Sequence, residues 1–169
     1  VSGVSNYQVL SLDINKASGI ATLLGDMNLS RNLTVTQGTV DATGLDLKLT
    51  GGTAMIDGAI GPIRKLNFDT TTGTKTINGN LNVAGDVSII NAVTINGGEI
   101  RVGGNLTGTD GDVGGTTKWL LNGSGDQTID VADLSDGDLT INKGSGVVSL
   151  DNNLVLNGAG QNVELAAGI

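Results

Sequence analysis

Residues Leu12-Asp13-Ile14-Asn15-Lys16-Ala17-Ser18-Gly19 return, without a gap, as Leu139-Thr140-Ile141-Asn142-Lys143-Gly144-Ser145-Gly146, at an offset of 127. The match continues through Leu23 with Leu150, Met27 with Leu154 and Leu29 with Leu156. A third copy begins at Leu66, at an offset of 54 from the first, and pairs Phe68 with Ile14, Gly73 with Gly19 and Leu81 with Met27. Upstream, Ile56 through Leu66 lines up with Ile129 through Leu139 at an offset of 73. A fainter start lies at Val163, after Gly158-Ala159-Gly160 echoes Gly123-Ser124-Gly125.

Modules therefore start near residues 2, 56, 129 and 163, with spacings of 54, 73 and 34. The spacings differ by whole units of roughly 20 residues, as in a stacked array that grows coil by coil. A globular sandwich gives insertions no reason to be quantised. A solenoid does, because each added coil must keep the stack in register. A coil of ~20 residues holds three short strands and three turns. The sequence thus predicts one domain over 1–169, an all-β, right-handed parallel β-solenoid. It has about 8 rungs of ~20 residues and a length of ~40 Å at the ~4.8 Å spacing of paired strands.

Local patterning agrees. Apolar and polar residues alternate in Leu45-Asp46-Leu47-Lys48-Leu49, Asn80-Leu81-Asn82-Val83 and Glu99-Ile100-Arg101-Val102, the period of a half-buried strand. Gly-containing breaks such as Asn78-Gly79, Asn96-Gly97 and Asn122-Gly123 separate such runs, where Gly and Asn turn the chain at little cost. The best helical stretch, Asn162 to Ile169, is short. Stacked coils put aliphatic side chains into inward columns, and so narrow an interior is expected to leave little room for rings.

Composition sets further bounds. The 169 residues include 28 Gly, one Pro, no Cys and no His. That excludes the usual zinc, haem and iron–sulfur ligands, a thiol nucleophile and a Ser-His-Asp triad. A net charge of −8 argues against binding to a phosphate backbone, so no nucleic-acid partner is expected. No apolar run approaches the ~20 residues of a membrane-spanning helix, so no membrane insertion is expected.

The sequence offers few candidate sites, and no catalytic residue. Asp110 and Asp112, in Gly108-Thr109-Asp110-Gly111-Asp112, are the candidate calcium ligands because calcium prefers oxygen. A plain corner loop is the favoured reading there, so no metal or cofactor is expected. The acidic run Asp126, Asp130, Asp133, Asp136 and Asp138 reads as a solvated face. Trp119 is the candidate for a lateral contact with a glycan or protein, weighed against packing. Lys16 and Lys143 share a module position where the third copy has Thr70, and both read as solvated residues. Neither terminus reads as a cap, which leaves Val1, Val4, Tyr7, Val9 and Leu10 at one end and Val163, Leu165 and Ile169 at the other as the assembly interface.

The recurring Leu-x-Ile-Asn-Lys-x-Ser-Gly, and stretches such as Gly79-Asn80-Leu81-Asn82-Val83-Ala84-Gly85, resemble the repeats of secreted bacterial surface proteins of the filamentous-adhesin and autotransporter-passenger type. The resemblance implies secretion to the bacterial cell surface, an elongated parallel β-helix and a structural or adhesive role. The expectation is a rod-like subunit of an extracellular fibre or surface stalk, polymerising with itself head to tail. The alternative is part of a larger adhesin that binds a glycan or host protein along one side. A polysaccharide lyase or tailspike-like enzyme ranks last. The three arginines, Arg31, Arg64 and Arg101, lie in separate stretches, and only three residues are aromatic.

Overall fold

A computed structural model describes residues 7–70, 73–109 and 113–167. The candidate residues Val1, Val4, Asp110, Asp112 and Ile169 lie outside them. The described chain is all-β and winds as a β-solenoid of eight coils. Every strand pairing in it is parallel. The first side is an eight-stranded sheet running from Tyr7–Val9 through Met27–Leu29, Asp46–Leu49, Lys65–Phe68, Val87–Ile89, Leu106–Gly108 and Gln127–Asp130 to Val148–Leu150. The second side runs from Leu12–Thr22 and Leu33–Asp41 up to Val113–Gly114, in six strands. The third runs from Asn80–Val83 to Val163–Ala167, in five.

In the first two coils the strands Leu12–Thr22 and Leu33–Asp41 bend across a corner through two shifts in register, so one strand serves two sides. Below Asn80–Val83 the third side continues as single bridges, Val40 to Ile60 and Ile63 to Val83. Pro62, which has no N–H to give to a ladder, falls between those bridges. Within the stretch expected as the best helix, Val163–Ala167 is a strand instead and pairs with Leu139–Asn142 in the third sheet. Once a ladder is open beside it, propensity for a short helix loses to pairing.

Alternation builds the core. On the first side one inward column runs unbroken through Tyr7, Met27, Leu47, Leu66, Val87, Leu106, Ile129 and Leu150. Its six middle members are buried. The neighbouring column carries Leu29, Leu49, Phe68 and Ile89, all fully buried. The interior is wider than the aliphatic composition suggests, because Phe68 and Trp119 are its two largest fully buried side chains. Aliphatic neighbours above and below leave each ring a slot one coil high. Ile100 and Leu139 flank Trp119 in register.

The register also shows what the sequence modules are. Leu12 lies on the second side, Leu66 on the first and Leu139 on the third. The spacing of 54 is two whole coils plus two sides, that of 73 three coils plus two sides, and that of 34 one coil plus two sides. The spacings differ by whole coils because all share the same remainder. The repeated motif is thus one strand with its corner, which reappears on different sides of the rod.

Candidate functional site

Two features stand out from the uniform rod: the buried polar corners and the open end coils. At each corner carbonyl groups turn inward and need donors. Between the third and first sides, Lys143 fills this need. It is 5% exposed, and its Nζ donates to Gly123 O at 2.6 Å, Gly125 O at 2.7 Å and Gln127 Oε1 at 2.7 Å. Gln127 is itself buried, donates through Nε2 to the carbonyls of Val102 and Gly104, and accepts from the Gly123 N–H. A β-carbon on Gly123 would overlap the Gly103 carbonyl, so only glycine lets the coils close there.

The same device recurs on other corners. Gln161 donates to Ser135 O and Gly137 O, both at 2.8 Å, and accepts from the Gly158 N–H. Lys75 is fully buried and donates to Gly51 O and Gly52 O, and burial pushes its pKa below the usual 10.5. The expectation that Lys16 and Lys143 are equivalent solvated residues is corrected. Lys16 is exposed and donates to Ile20 O in its own strand, whereas Lys143 is internal. They sit on different sides, so the same octapeptide meets different neighbours. Thr70, their counterpart, is buried as well.

Trp119 does not reach the surface. It is 1% exposed, and its Nε1 donates to Ser135 Oγ at 2.8 Å. Ser135 Oγ in turn donates to Thr117 O. Lys118-Trp119-Leu120-Leu121 alternates, with Trp119 and Leu121 inward, and this overturns a lateral contact through the indole. With Phe68 also buried, the lateral surface presents no aromatic ring among the described residues.

Three members of the acidic run brace neighbouring coils. Asp126 accepts the Val147 N–H, Asp130 accepts from Asn152, and Asp138 accepts the Asn162 N–H while pairing with Lys118. The Asn162 backbone N–H, then Lys118, hold Asp138 below the usual carboxylate pKa. Asp86 is lowered chiefly by the Asn105 N–H of the next coil, and Asp26 accepts the Asp46 N–H. Among the described residues no three acidic, His or Cys side chains cluster as a metal site.

The ends differ from the middle. Of the large apolar residues that are exposed, Tyr7, Leu10, Ile20 and Leu24 lie in the first coil, and Val147, Leu150, Val155, Val163 and Leu165 in the last. Among the described residues Ile90 alone lies between. Val9, Leu12, Ile14, Ala21 and Leu23 below, with Val148, Leu154 and Leu156 above, pack on the core but stay partly open. Tyr7, Val9, Val163 and Leu165 belong to inward columns. Leu10 is out of alternation with Val9 and faces away from the column. The sequence named Tyr7, Leu10, Val163 and Leu165, which are exposed. It carried a signal for the corner glutamines too, in Gly123-Ser124-Gly125 and its echo Gly158-Ala159-Gly160, each followed closely by Gln. No family model, no curated protein and no solved structure matches the chain.

Proposed function

We propose that the chain is a structural protein without enzymatic activity, a rod-like β-solenoid subunit of an extracellular fibre or bacterial surface stalk. It extends head to tail through its end coils. The observation that carries this reading is the apolar column of the first side, buried without a break from Met27 to Ile129 inside parallel ladders. Strand addition to a parallel ladder is the contact that would continue such a column from one subunit to the next. Each covered aliphatic side chain contributes about 1.5–3 kcal/mol gross, before the cost of association. The resemblance to secreted surface repeats supports the location. No cofactor, metal, nucleic acid or membrane insertion belongs to this role.

The test is sedimentation velocity on the wild type and on Leu165→Asp. Leu165 is 74% exposed, so the substitution leaves the fold intact and puts a charge into the junction. The wild type is expected to form concentration-dependent polymers and Leu165→Asp to remain monomeric. Equal polymerisation of both would sink the reading. Lateral adhesion to a glycan or host protein loses its aromatic candidate with the burial of Trp119 and is the second reading.

A further inference from the structure

Four Asn-Gly pairs sit at corners of the coil: Asn78-Gly79, Asn96-Gly97, Asn122-Gly123 and Asn157-Gly158. Each asparagine follows Ile or Leu, so the local sequences are alike. The fold treats them differently. The Gly97 N–H donates to Thr116 Oγ1 at 3.1 Å, the Gly123 N–H to Gln127 Oε1 at 2.9 Å and the Gly158 N–H to Gln161 Oε1 at 3.0 Å. Among the described residues the Gly79 N–H meets no acceptor. The register gives the reason. Thr76 lies beneath Asn96 and Asn80 beneath Glu99, so Gly97 and Gly98 cover the Gly79 corner, and neither has a side chain to accept. One coil on, Glu99 lies beneath Lys118, and Thr116 supplies the hydroxyl that covers Gly97. Gly79 also turns the chain alone, between the strand residues Asn78 and Asn80, at φ 83°. All three are exposed, and a β-carbon on Gly79 would meet nothing within 4 Å.

We propose that Asn78 is a site of spontaneous modification, the Asn-Gly corner that the fold leaves open to cyclisation. The Gly79 nitrogen attacks Cγ of Asn78. A new N–Cγ bond forms, the Cγ–Nδ2 bond breaks, and ammonia leaves with the Gly79 proton. Water then opens the five-membered imide at either carbonyl, giving aspartate or an isoaspartyl linkage at position 78. Glycine favours the step because no side chain hinders the approach of its nitrogen. At the other three corners that nitrogen must first give up its hydrogen bond. The amide nitrogen that leaves Asn78 donates to Met55 Sδ at 3.5 Å, a weak acceptor. The product changes the ladder. Asn78 faces Asp57 of the preceding coil in register, so a carboxylate at 78 sets like charges side by side on strands ~4.8 Å apart. An isoaspartyl linkage adds a backbone carbon at a corner that a single residue turns. The modification therefore loosens the rod in its middle, independently of what happens at its ends.

The full chain is aged at mildly alkaline pH, sampled over time and digested for peptide mass spectrometry, which reads a gain of about 1 Da at each converted asparagine. In the folded chain Asn78 is expected to convert at least about tenfold faster than Asn96, Asn122 or Asn157, the factor that one retained hydrogen bond of ordinary net strength supplies. In urea the four rates are expected to converge. Thr116→Val removes the acceptor over Gly97 at an exposed position and is expected to raise conversion at Asn96 to the level of Asn78. Aged wild type is expected to melt below fresh protein, whereas Asn78→Gln, whose longer side chain cyclises poorly, is expected to keep its midpoint. Equal rates at the four corners of the folded chain, or a lead of Asn78 that persists in urea, would overturn the proposal. So would a rate at Asn96 that Thr116→Val leaves unchanged. An unchanged midpoint in the aged wild type would overturn the effect on the ladder.

Discussion

Lys143 is held inside the rod by what surrounds its ammonium group. Three oxygens lie within 2.7 Å of Nζ, and two of them are corner carbonyls with no strand partner to serve. Replacing it with Met keeps the stem and leaves those acceptors unpaired. Lys143→Met is expected to lose about 2–3 kcal/mol in urea unfolding, the scale of a buried unsatisfied polar group, whereas a loss below ~0.5 kcal/mol would mean that the lysine is not structural. Lys75 adds a pH dependence. Its pKa is lowered in the folded state, so the unfolded chain binds the proton more tightly. Lys75 therefore makes stability rise with pH between its lowered value and the ordinary 10.5. Lys75→Met is expected to remove that rise from the thermal midpoint. Trp119 gives the most direct check on the interior. Its fluorescence is expected to be blue-shifted and insensitive to iodide, and Trp119→Ala is expected to cost about 3–5 kcal/mol. Ready quenching by iodide would place the indole outside. The sequence alone named Trp119 but not its direction. Only the alternation of Lys118–Leu121 within the third sheet decides that.

At the scale of strands and corners, stability comes from pairing between turns of the chain, with side chains fixing the corners. Asp86 and Asp138 each accept a backbone N–H from the following coil and have lowered pKa values. Their contribution is present above the ordinary carboxylate value of 3.8 and is lost as pH falls through their lowered folded values. The thermal midpoint is expected to fall in that acid range, and less steeply in Asp138→Asn, whose amide oxygen still accepts the Asn162 N–H at every pH. An identical acid slope in the variant would remove Asp138 from the account. At this scale the sequence was most legible. Alternation located the strands, and Gly and Asn located the corners. What the repeat concealed was the side on which each copy falls. A match between Leu12 and Leu139 looks like coil upon coil, but a strand-and-corner unit carries no label for its side. The side follows from counting residues through corners of unequal length, which make the coil from Leu106 to Ile129 longer than the one from Val87 to Leu106. The buried Gln127 and Lys143 escaped for a related reason. Their burial depends on which glycines of the coil beneath they meet.

For the whole molecule, the distribution of exposed apolar residues points to the ends. A closed column with two open faces has lateral sides braced by ion pairs such as Lys65 with Asp86 and Lys118 with Asp138. Those exposed pairs contribute solubility and orientation more than stability. Salt is expected to change polymerisation little, because the exposed end residues Tyr7, Leu150, Val163 and Leu165 are uncharged.

Negative-stain electron microscopy of the purified chain over a concentration series tests this directly. Uniform unbranched threads, one rod wide and with an axial repeat of ~40 Å from eight coils at ~4.8 Å, are the predicted result. Short dispersed rods at every concentration would contradict it.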